Sequence, residues 1–321
     1  MKRRAPNSDN EDGSDAEEEL DAVSRLMNRS FTAFRCTPFW EFRATEMPKY
    51  ERQLKDFLML DLERALKEAR DNAEDEDETL DLLRGKVVQV TLKGQTISPW
   101  RGSDPSVRPF EMTMIFQPRG KVVQKIYTAV FMSALAPSPV QIASGFSHFP
   151  LALIKADAPI MPLIVRWFES NFGGHISPMR ILPGELEMIT DEWASRAYDT
   201  RDAPVQDEIR VPRTRKLDLP LELRYDTGFD EIKSITVNIT AEDVMTLVQA
   251  QRASNGEKRL VDVIQQHIYD TTSIDVTKLV LSRVGNPACY ISTDGKVKSK
   301  SLTLQVMRRL MAVACAKVFG P

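Results

Sequence analysis

The chain has 321 residues, of which 42% are hydrophobic and 28% are charged, and its formal net charge is −3. This composition is that of a folded globular protein and argues against a low-complexity or wholly disordered chain. No apolar run reaches the roughly 18 residues that span a bilayer, so the sequence predicts an intracellular protein without a membrane segment.

The cysteines and histidines do not form a metal-binding pattern. Cys36, Cys289 and Cys315 lie far apart and show no CxxC spacing, and the three histidines are isolated from one another. This spacing predicts neither a disulfide framework nor a zinc site. We expect no metal ion and no cofactor.

Residues 1–28 form an acidic tail that we expect to be disordered. The tail is poor in apolar residues and contains Asp9, Glu11, Asp12, Asp15 and Glu17 to Glu19. Such a segment cannot bury enough apolar surface to offset the entropy lost on ordering.

Residues 29–200 read as an N-terminal α+β region. Apolar residues alternate with polar ones in the predicted strands and recur at three- and four-residue steps in the predicted helices. The predicted strands are 30–42, 87–92, 110–116, 122–131, 149–155 and 176–182, and the predicted helices begin near Pro48, Ile160 and Glu185. The turn Pro118-Arg119-Gly120 joins two of the strands as an antiparallel hairpin.

Residues 201–216 are mostly charged or proline and are interpreted as a loop or linker, in which Arg210, Arg213, Arg215 and Lys216 lie together. Residues 217–321 form a second α+β region. Its predicted strands are 219–225, 232–239, 279–284, 288–292 and 296–300, and its predicted helices are 240–251, 258–269 and 302–319. Thr240 with Asp243 supplies a helix N-cap, and Asp294-Gly295 is typical of a two-residue hairpin turn.

The motifs of common catalytic sites are missing. The glycines do not cluster as a phosphate-binding loop, and there is no Gly-x-Ser-x-Gly elbow. We therefore expect a non-catalytic binding or assembly protein. Two alternatives remain open, namely a different intracellular adaptor and an enzyme whose site has no known motif.

Three stretches resemble the centromere protein L family of inner-kinetochore subunits, the fungal ones included. They are Phe31-Thr-Ala-Phe-Arg-Cys-Thr-Pro-Phe-Trp-Glu-Phe42, the run from Phe149-Pro-Leu through Ser177-Pro178 to Leu182, and Ser282-Arg-Val284 followed by Cys289 to Lys298. They occur in family order and cover about residues 28–301. The chain departs from the family pattern at Asn286-Pro287-Ala288, and at Lys296, where arginine is usual.

The resemblance implies an α+β fold of curved, largely antiparallel sheets with flanking helices. It also implies a structural protein of the nucleus, located at the centromere and kinetochore and acting in chromosome segregation without turnover. The implied partners are centromere protein N, in a heterodimer, and other subunits of the constitutive centromere-associated network, including centromere protein C and the H-I-K-M group.

Two sites are predicted from these features. The C-terminal hairpin, with Leu279, Leu281, Cys289, Tyr290 and Ile291, is the expected interface, because a free sheet edge can accept a partner's strand. Its apolar residues can instead pack beneath the C-terminal helix. A non-specific DNA contact is expected at a group of basic residues, namely Arg210, Arg213, Arg215, Lys216, Lys296, Lys298 and Lys300. Alternating lysines also protect sheet edges from aggregation, so edge protection remains an alternative to the DNA contact.

Overall fold

The computed structural model describes residues 29–72, 84–94, 108–133, 143–199, 220–253, 258–286, 289–299 and 304–316. These residues group into two compact units: unit 1 runs to Pro178 and includes residues from Ala314 onward, and unit 2 runs from Met179 to Val313. The sequence placed the boundary within 201–216 instead. That segment and the acidic tail 1–28 lie outside the described residues, so both interpretations stay predictions.

Unit 1 is an antiparallel sheet packed against two helices. Its strands are β1 (Arg29–Cys36), β2 (Phe39–Trp40), β3 (Lys86–Gly94), β4 (Phe110–Gln117), β5 (Lys125–Met132), β6 (Phe146–Ser147), β7 (Leu151–Lys155) and β8 (Ile176–Pro178), and its helices are α1 (Met47–Asn72) and α2 (Met161–Phe172). The strand order is β3-β4-β5-β7-β1, with β8 paired to β1, while β2 and β6 form a separate two-stranded ladder.

The core of unit 1 is built on the alternating strand faces. Phe110, Met112, Met114 and Phe116 of β4 are all fully buried, as their period-two spacing predicted. Ten other aromatic rings join them in one buried cluster, namely Phe34, Phe39, Phe42, Tyr50, Tyr127, Phe131, Phe149, Trp167, Phe168 and Phe172. Because α2 ends at Gly173 in the left-handed conformation, the chain can turn sharply after Phe172 into β8.

Asp157 ties the start of α2 to strand β5. Its Oδ2 accepts hydrogen bonds of 2.7 Å from Lys125 Nζ and 2.7 Å from the Tyr127 hydroxyl. Burial tends to raise the pKa of this carboxyl, but the two hydrogen bonds and the lysine charges lower the pKa below its ordinary value of 3.8. The ionised carboxylate therefore stabilises the folded state.

We expect Asp157→Asn to lower the free energy of unfolding at pH 7 by less than about 1 kcal/mol, since the pair is about one-third exposed and partly screened by water. Because the folded-state pKa is lowered, this contribution is present above pH 4 and is lost as the pH falls through the folded-state value. Urea unfolding at pH 7 and pH 3 checks this. A difference between the variant and the native chain that is as large at pH 3 as at pH 7 would contradict it.

In the described part of the chain, unit 2 has five antiparallel strands of its own and four helices. Its elements are α3 (Pro183–Asp199), β9 (Leu221–Asp226), β10 (Ser234–Ile239), α4 (Ala241–Ala253), α5 (Leu260–Thr272), β11 (Val280–Gly285), β12 (Cys289–Ser292), β13 (Lys296–Ser299) and α6 (Leu304–Ala316). The strand order is β10-β9-β11-β12-β13. The cap at the start of α4 is confirmed, because Thr240 Oγ1 accepts a 3.2 Å hydrogen bond from the Asp243 backbone N–H.

Polar contacts hold the helices of unit 2 to one another. Asp191 on α3 accepts a 2.8 Å hydrogen bond from the Val261 backbone N–H at the start of α5. Arg259, just before α5, pairs with Glu187 on α3 at 3.0 Å. Burial raises the pKa of Asp191, because the carboxylate loses water that the Val261 N–H and Arg259 only partly replace. These contacts hold the start of α5 against α3.

The α+β class with antiparallel sheets is confirmed. The main differences are at element ends. Val122 and Val123 lie in the turn before β5 instead of in the strand, and the extended segment predicted for 176–182 shortens to the three residues of β8. In both places the apolar residues matched a strand pattern, but no neighbouring strand continues alongside them.

Candidate partner-binding site

Three of the five predicted interface residues are buried within unit 2. Leu281 on β11 and Cys289 and Ile291 on β12 point to the inner face of the sheet and are at most 3% exposed. Leu279 precedes β11 and is half-buried, as is Tyr290 on the outer face. The interpretation that these residues pack within the chain therefore fits the first three, and only Leu279 and Tyr290 are available to a partner.

Strand β12 is not a sheet edge. Arg283, Val284 and Gly285 of β11 pair with it on one side, and Val297, Lys298 and Ser299 of β13 pair with it on the other. Residues 289–292 therefore offer no free backbone edge, and the role of this hairpin as the partner interface stays a prediction. A single sequence shows that a strand exists, but its neighbours are decided by the tertiary fold.

Tyr290 is the centre of a polar row on the outer face of this sheet. The Arg283 guanidinium lies 5.4 Å from the centre of the Tyr290 ring, and Lys298 Nζ lies 5.9 Å from it. Arg283 also forms an ion pair with Glu222 on β9. Cations near an aromatic face are attracted to its negative potential, so the row is held in place by its own contacts.

The predicted basic residues are only partly described. Lys296 and Lys298 are both exposed and alternate along β13, as predicted. Lys296 forms a 2.9 Å ion pair with Asp294, and this hydrogen bond raises the pKa of Lys296. Lys300 and the group Arg210, Arg213, Arg215 and Lys216 lie outside the described residues. The DNA contact stays a prediction, and the Asp294 carboxylate neutralises part of the charge that it would use.

Strand β10 lies at an end of the strand order in unit 2. All six of its residues pair with β9 in an unbroken register, from Ser234 opposite Asp226 to Ile239 opposite Leu221. The strand contains no charged residue and no proline. In the part of the chain that the structure describes, nothing else is hydrogen-bonded to the β10 backbone along its other side. Such an edge is a template for another strand.

The edge strand of unit 1, β3, differs from β10 because side chains of α1 hydrogen-bond to its outer backbone groups. Lys55 Nζ on α1 donates a 2.8 Å hydrogen bond to the Val88 carbonyl of β3, and the Leu92 N–H of β3 donates a 2.7 Å bond to Glu51 Oε1. A bulge between Val87 and Gln89 also interrupts the register of β3. Side-chain caps and bulges of this kind prevent strand addition, and β10 has neither.

Apolar side chains are exposed where β10 begins. Phe229 and Ile232, in the turn between β9 and β10, are 67% and 60% exposed. Val280, which pairs with Asp226 at the same end of the sheet, is also exposed. We call β10 together with Phe229, Ile232 and Val280 the β10 surface. It combines free backbone groups with apolar side chains, as strand-accepting interfaces do.

The alternating sequence pattern predicted β10 as a strand but not as an interface. The available signal was its composition, because Ser-Ile-Thr-Val-Asn-Ile has no charged residue and no proline, and the predicted strand 232–239 has a lysine only near its start, at Lys233. Phe229 carried a second signal, since a large apolar residue in a predicted turn has no core to join, whereas Ile232 was predicted to begin the strand.

The described residues contain no group of three or more His, Cys, Asp or Glu side chains placed to hold a metal ion. Burial and the nearby Glu169 raise the pKa of the Cys36 thiol, which keeps it protonated. Among the same residues, no helix is both long and apolar enough to cross a membrane.

Comparison with known proteins decides the family. The model of the centromere protein L family matches residues 25–317. The chain belongs to the centromere protein L family. The resemblance drawn from the three sequence stretches is thus confirmed, and the chain is a nuclear protein of the centromere and kinetochore.

The similar proteins are distant in sequence. The chain is 24% identical to inner kinetochore subunit fta1 of Schizosaccharomyces pombe over 152 residues, which cover 47% of this chain and 46% of that protein. It is 21% identical to human centromere protein L over 288 residues, covering 86% of this chain and 75% of the human protein. The match to fta1 spans less than half of that protein, whereas the match to human centromere protein L runs through both units.

Proposed function

We propose that the chain is a non-catalytic structural subunit of the inner kinetochore. In this role it pairs with centromere protein N and links centromeric chromatin to the kinetochore during chromosome segregation. The observation that carries the proposal is the family match over residues 25–317, because it spans both folded units. The name of fta1, an inner kinetochore subunit, supports the same role.

The β10 surface supports the pairing with a partner protein. Water satisfies its free backbone groups in the unbound chain, and an added strand can replace that water with hydrogen bonds while it covers the exposed apolar side chains. We propose that centromere protein N supplies this strand. Centromere protein C and the H-I-K-M group are proposed as further neighbours in the same network.

A scaffold also agrees with the distribution of polar groups. In the polar row around Tyr290, Arg283 is paired with Glu222, and Arg283 and Lys298 both lie near the Tyr290 ring. Catalytic sites more often place strained or shifted groups in a concave pocket. An adaptor outside the kinetochore is the competing proposal, and the family match argues against it.

The proposal is tested by locating the chain and its partners in the cell. An epitope-tagged chain expressed from its own locus should be enriched on centromeric DNA in chromatin immunoprecipitation, and centromere protein N should be recovered with it in about 1:1 ratio from nuclear extract. Depletion should cause chromosome loss. Enrichment on centromeres without centromere protein N would overturn the pairing alone, while absence from centromeres would overturn the kinetochore role.

A further inference from the structure

One end of the sheet in unit 1 is basic. Lys86 at the start of β3 pairs with Gln117 at the end of β4, and Lys125 at the start of β5 pairs with Phe116. The turn between β4 and β5 adds Arg119 and Lys121, and Lys155 ends β7. We call Lys86, Arg119, Lys121, Lys125 and Lys155 the basic end.

Three of the five cations at the basic end are exposed and form no ion pair among the described residues, so they can bind a ligand. Lys125 is paired with Asp157 at 2.7 Å, and Lys155 lies in the field of the same carboxylate. Lys86, Arg119 and Lys121 are exposed, and the structure records no ion pair for them among the described residues. Three cations close together repel one another, so an anionic ligand that lies among them is favoured.

The same turn exposes two adjacent valines. Val122 is 96% exposed and Val123 is 77% exposed, between Lys121 and Lys125. A phosphate or a simple anion leaves such side chains in water. A polypeptide that carries both carboxylates and apolar side chains covers the valines and neutralises the lysines together, so the ligand chemistry that fits the basic end is an acidic, partly apolar segment.

The chain's own N-terminal segment has this chemistry. Residues 9–21 contain eight carboxylates and no lysine or arginine, and Leu20, Val23, Leu26 and Met27 lie in or just after them. The acidic residues are Asp9, Glu11, Asp12, Asp15, Glu17, Glu18, Glu19 and Asp21.

The segment also joins the fold beside the basic end. Arg29, the first residue of β1, donates a 2.9 Å hydrogen bond through Nη1 to Thr128 Oγ1 on β5. Thr128 pairs with Lys155 and lies three residues from Lys125, about 10 Å along the strand. Asp21 precedes Arg29 by eight residues, which reach up to about 26 Å when extended. The carboxylates can therefore reach the whole basic end.

We propose that residues 9–27 bind the basic end of unit 1 within the same chain. The carboxylates pair with Lys86, Arg119 and Lys121, and the apolar residues that follow them cover Val122 and Val123. The contact is electrostatic at the surface, so salt weakens it and it adds little to folding.

Carbodiimide cross-linking of the full-length chain identifies the occupant, because it joins lysine amines to carboxylates that touch them. We expect cross-links from Lys86 and Lys121 to Glu17–Asp21, and their loss at high salt. A second acidic segment, Glu74 to Glu78, lies between α1 and β3 and could also reach Lys86. Cross-links that go only to Glu74–Glu78, or that are absent, overturn the proposal.

Binding in trans gives a second readout. A labelled peptide of residues 9–27 should bind a full-length variant whose eight tail carboxylates are changed to amides, and should bind the native chain at least tenfold more weakly, because the tethered segment competes at high effective concentration. Adding Lys86→Glu and Lys121→Glu to the amide variant should weaken binding at least tenfold.

The matched control adds Arg43→Glu and Arg52→Glu, which reverse two exposed charges near the start of α1. The start of α1 lies beside the other end of β3, as the contact between Glu51 and Leu92 shows. The control should bind the peptide as the amide variant does. Equal binding by the native chain and the amide variant, or equal losses in the control and the basic-end variant, contradict the proposal.

Discussion

Replacing Phe39 with alanine should destabilise the chain by about 3–5 kcal/mol, the range for truncating a fully buried phenylalanine. Phe39 is 0% exposed. Five aromatic rings have their centres 5.7–6.4 Å from that of Phe39, namely Phe42, Phe131, Phe149, Phe168 and Phe172. They come from the β1–α1 connection, β5, the segment before β7 and α2, so the cavity would open where all four meet.

The cavity left by this change cannot close easily. Gly174 approaches Phe39 so closely that a Cβ there would lie 2.6 Å from the ring, which shows how tightly the backbone packs around it. Collapse would have to move that backbone. We therefore expect the loss of stability for Phe39→Ala in the upper part of the range of about 3–5 kcal/mol, because a site that cannot relax retains its empty volume.

Trp40→Ala is the matched control, since Trp40 is the next residue and is 45% exposed. This change should lower the free energy of unfolding by less than about 1.5 kcal/mol, mainly because the edge contact of Trp40 with Phe146 is lost. Chemical denaturation of both variants gives the comparison. A loss for Phe39→Ala no larger than that for Trp40→Ala would show that the aromatic cluster does not hold unit 1 together.

A proline placed in β10 should weaken binding of centromere protein N at least a hundredfold. In an antiparallel strand, consecutive residues direct their backbone groups to opposite sides. Of Thr236→Pro and Val237→Pro, one therefore removes a donor that bonds β9 and the other removes a donor on the open side. The variant that loses the hydrogen bond to β9 should have a lower melting temperature. The variant that loses the donor on the open side should fold normally but no longer bind centromere protein N.

Thermal melting sorts the two variants, and titration calorimetry with centromere protein N then measures binding of the one that stays folded. Val237→Thr is the control, because it keeps both the backbone donor and the β-branched shape. Undiminished binding by the folded proline variant would exclude strand addition at β10, and the pairing would then have to use side-chain contacts elsewhere.

The sequence predicted local structure better than it predicted neighbours. The alternation of Phe110, Met112, Met114 and Phe116 was enough to place β4 in a half-buried sheet, because strand periodicity decides which side chains face inward. The helix cap formed by Thr240 and Asp243 could also be predicted from the sequence, since its hydrogen bonds join residues within one stretch of four.

The candidate site depended on strand order, which lies beyond local pattern. Leu281 and Ile291 look like interface residues in sequence, but they are buried on the sheet face against which α3 packs, and β9 and β13 pair with the two strands on their outer sides. The β10 surface follows from the opposite situation, in which a strand of ordinary composition has one neighbour. Strand order is thus a property of the assembled sheet, and the local pattern of a single sequence does not contain it.

Hydrogen–deuterium exchange of Ser234–Ile239, with and without centromere protein N, tests the central claim most directly. Amides on the open side of β10 exchange with solvent in the free chain, and a partner strand would engage them in hydrogen bonds. We expect the exchange of β10 to slow at least tenfold in the complex, with β3 unchanged because its edge is already closed by Lys55 and Glu51. Exchange of β10 that is identical in the free chain and in a saturated complex would contradict the account.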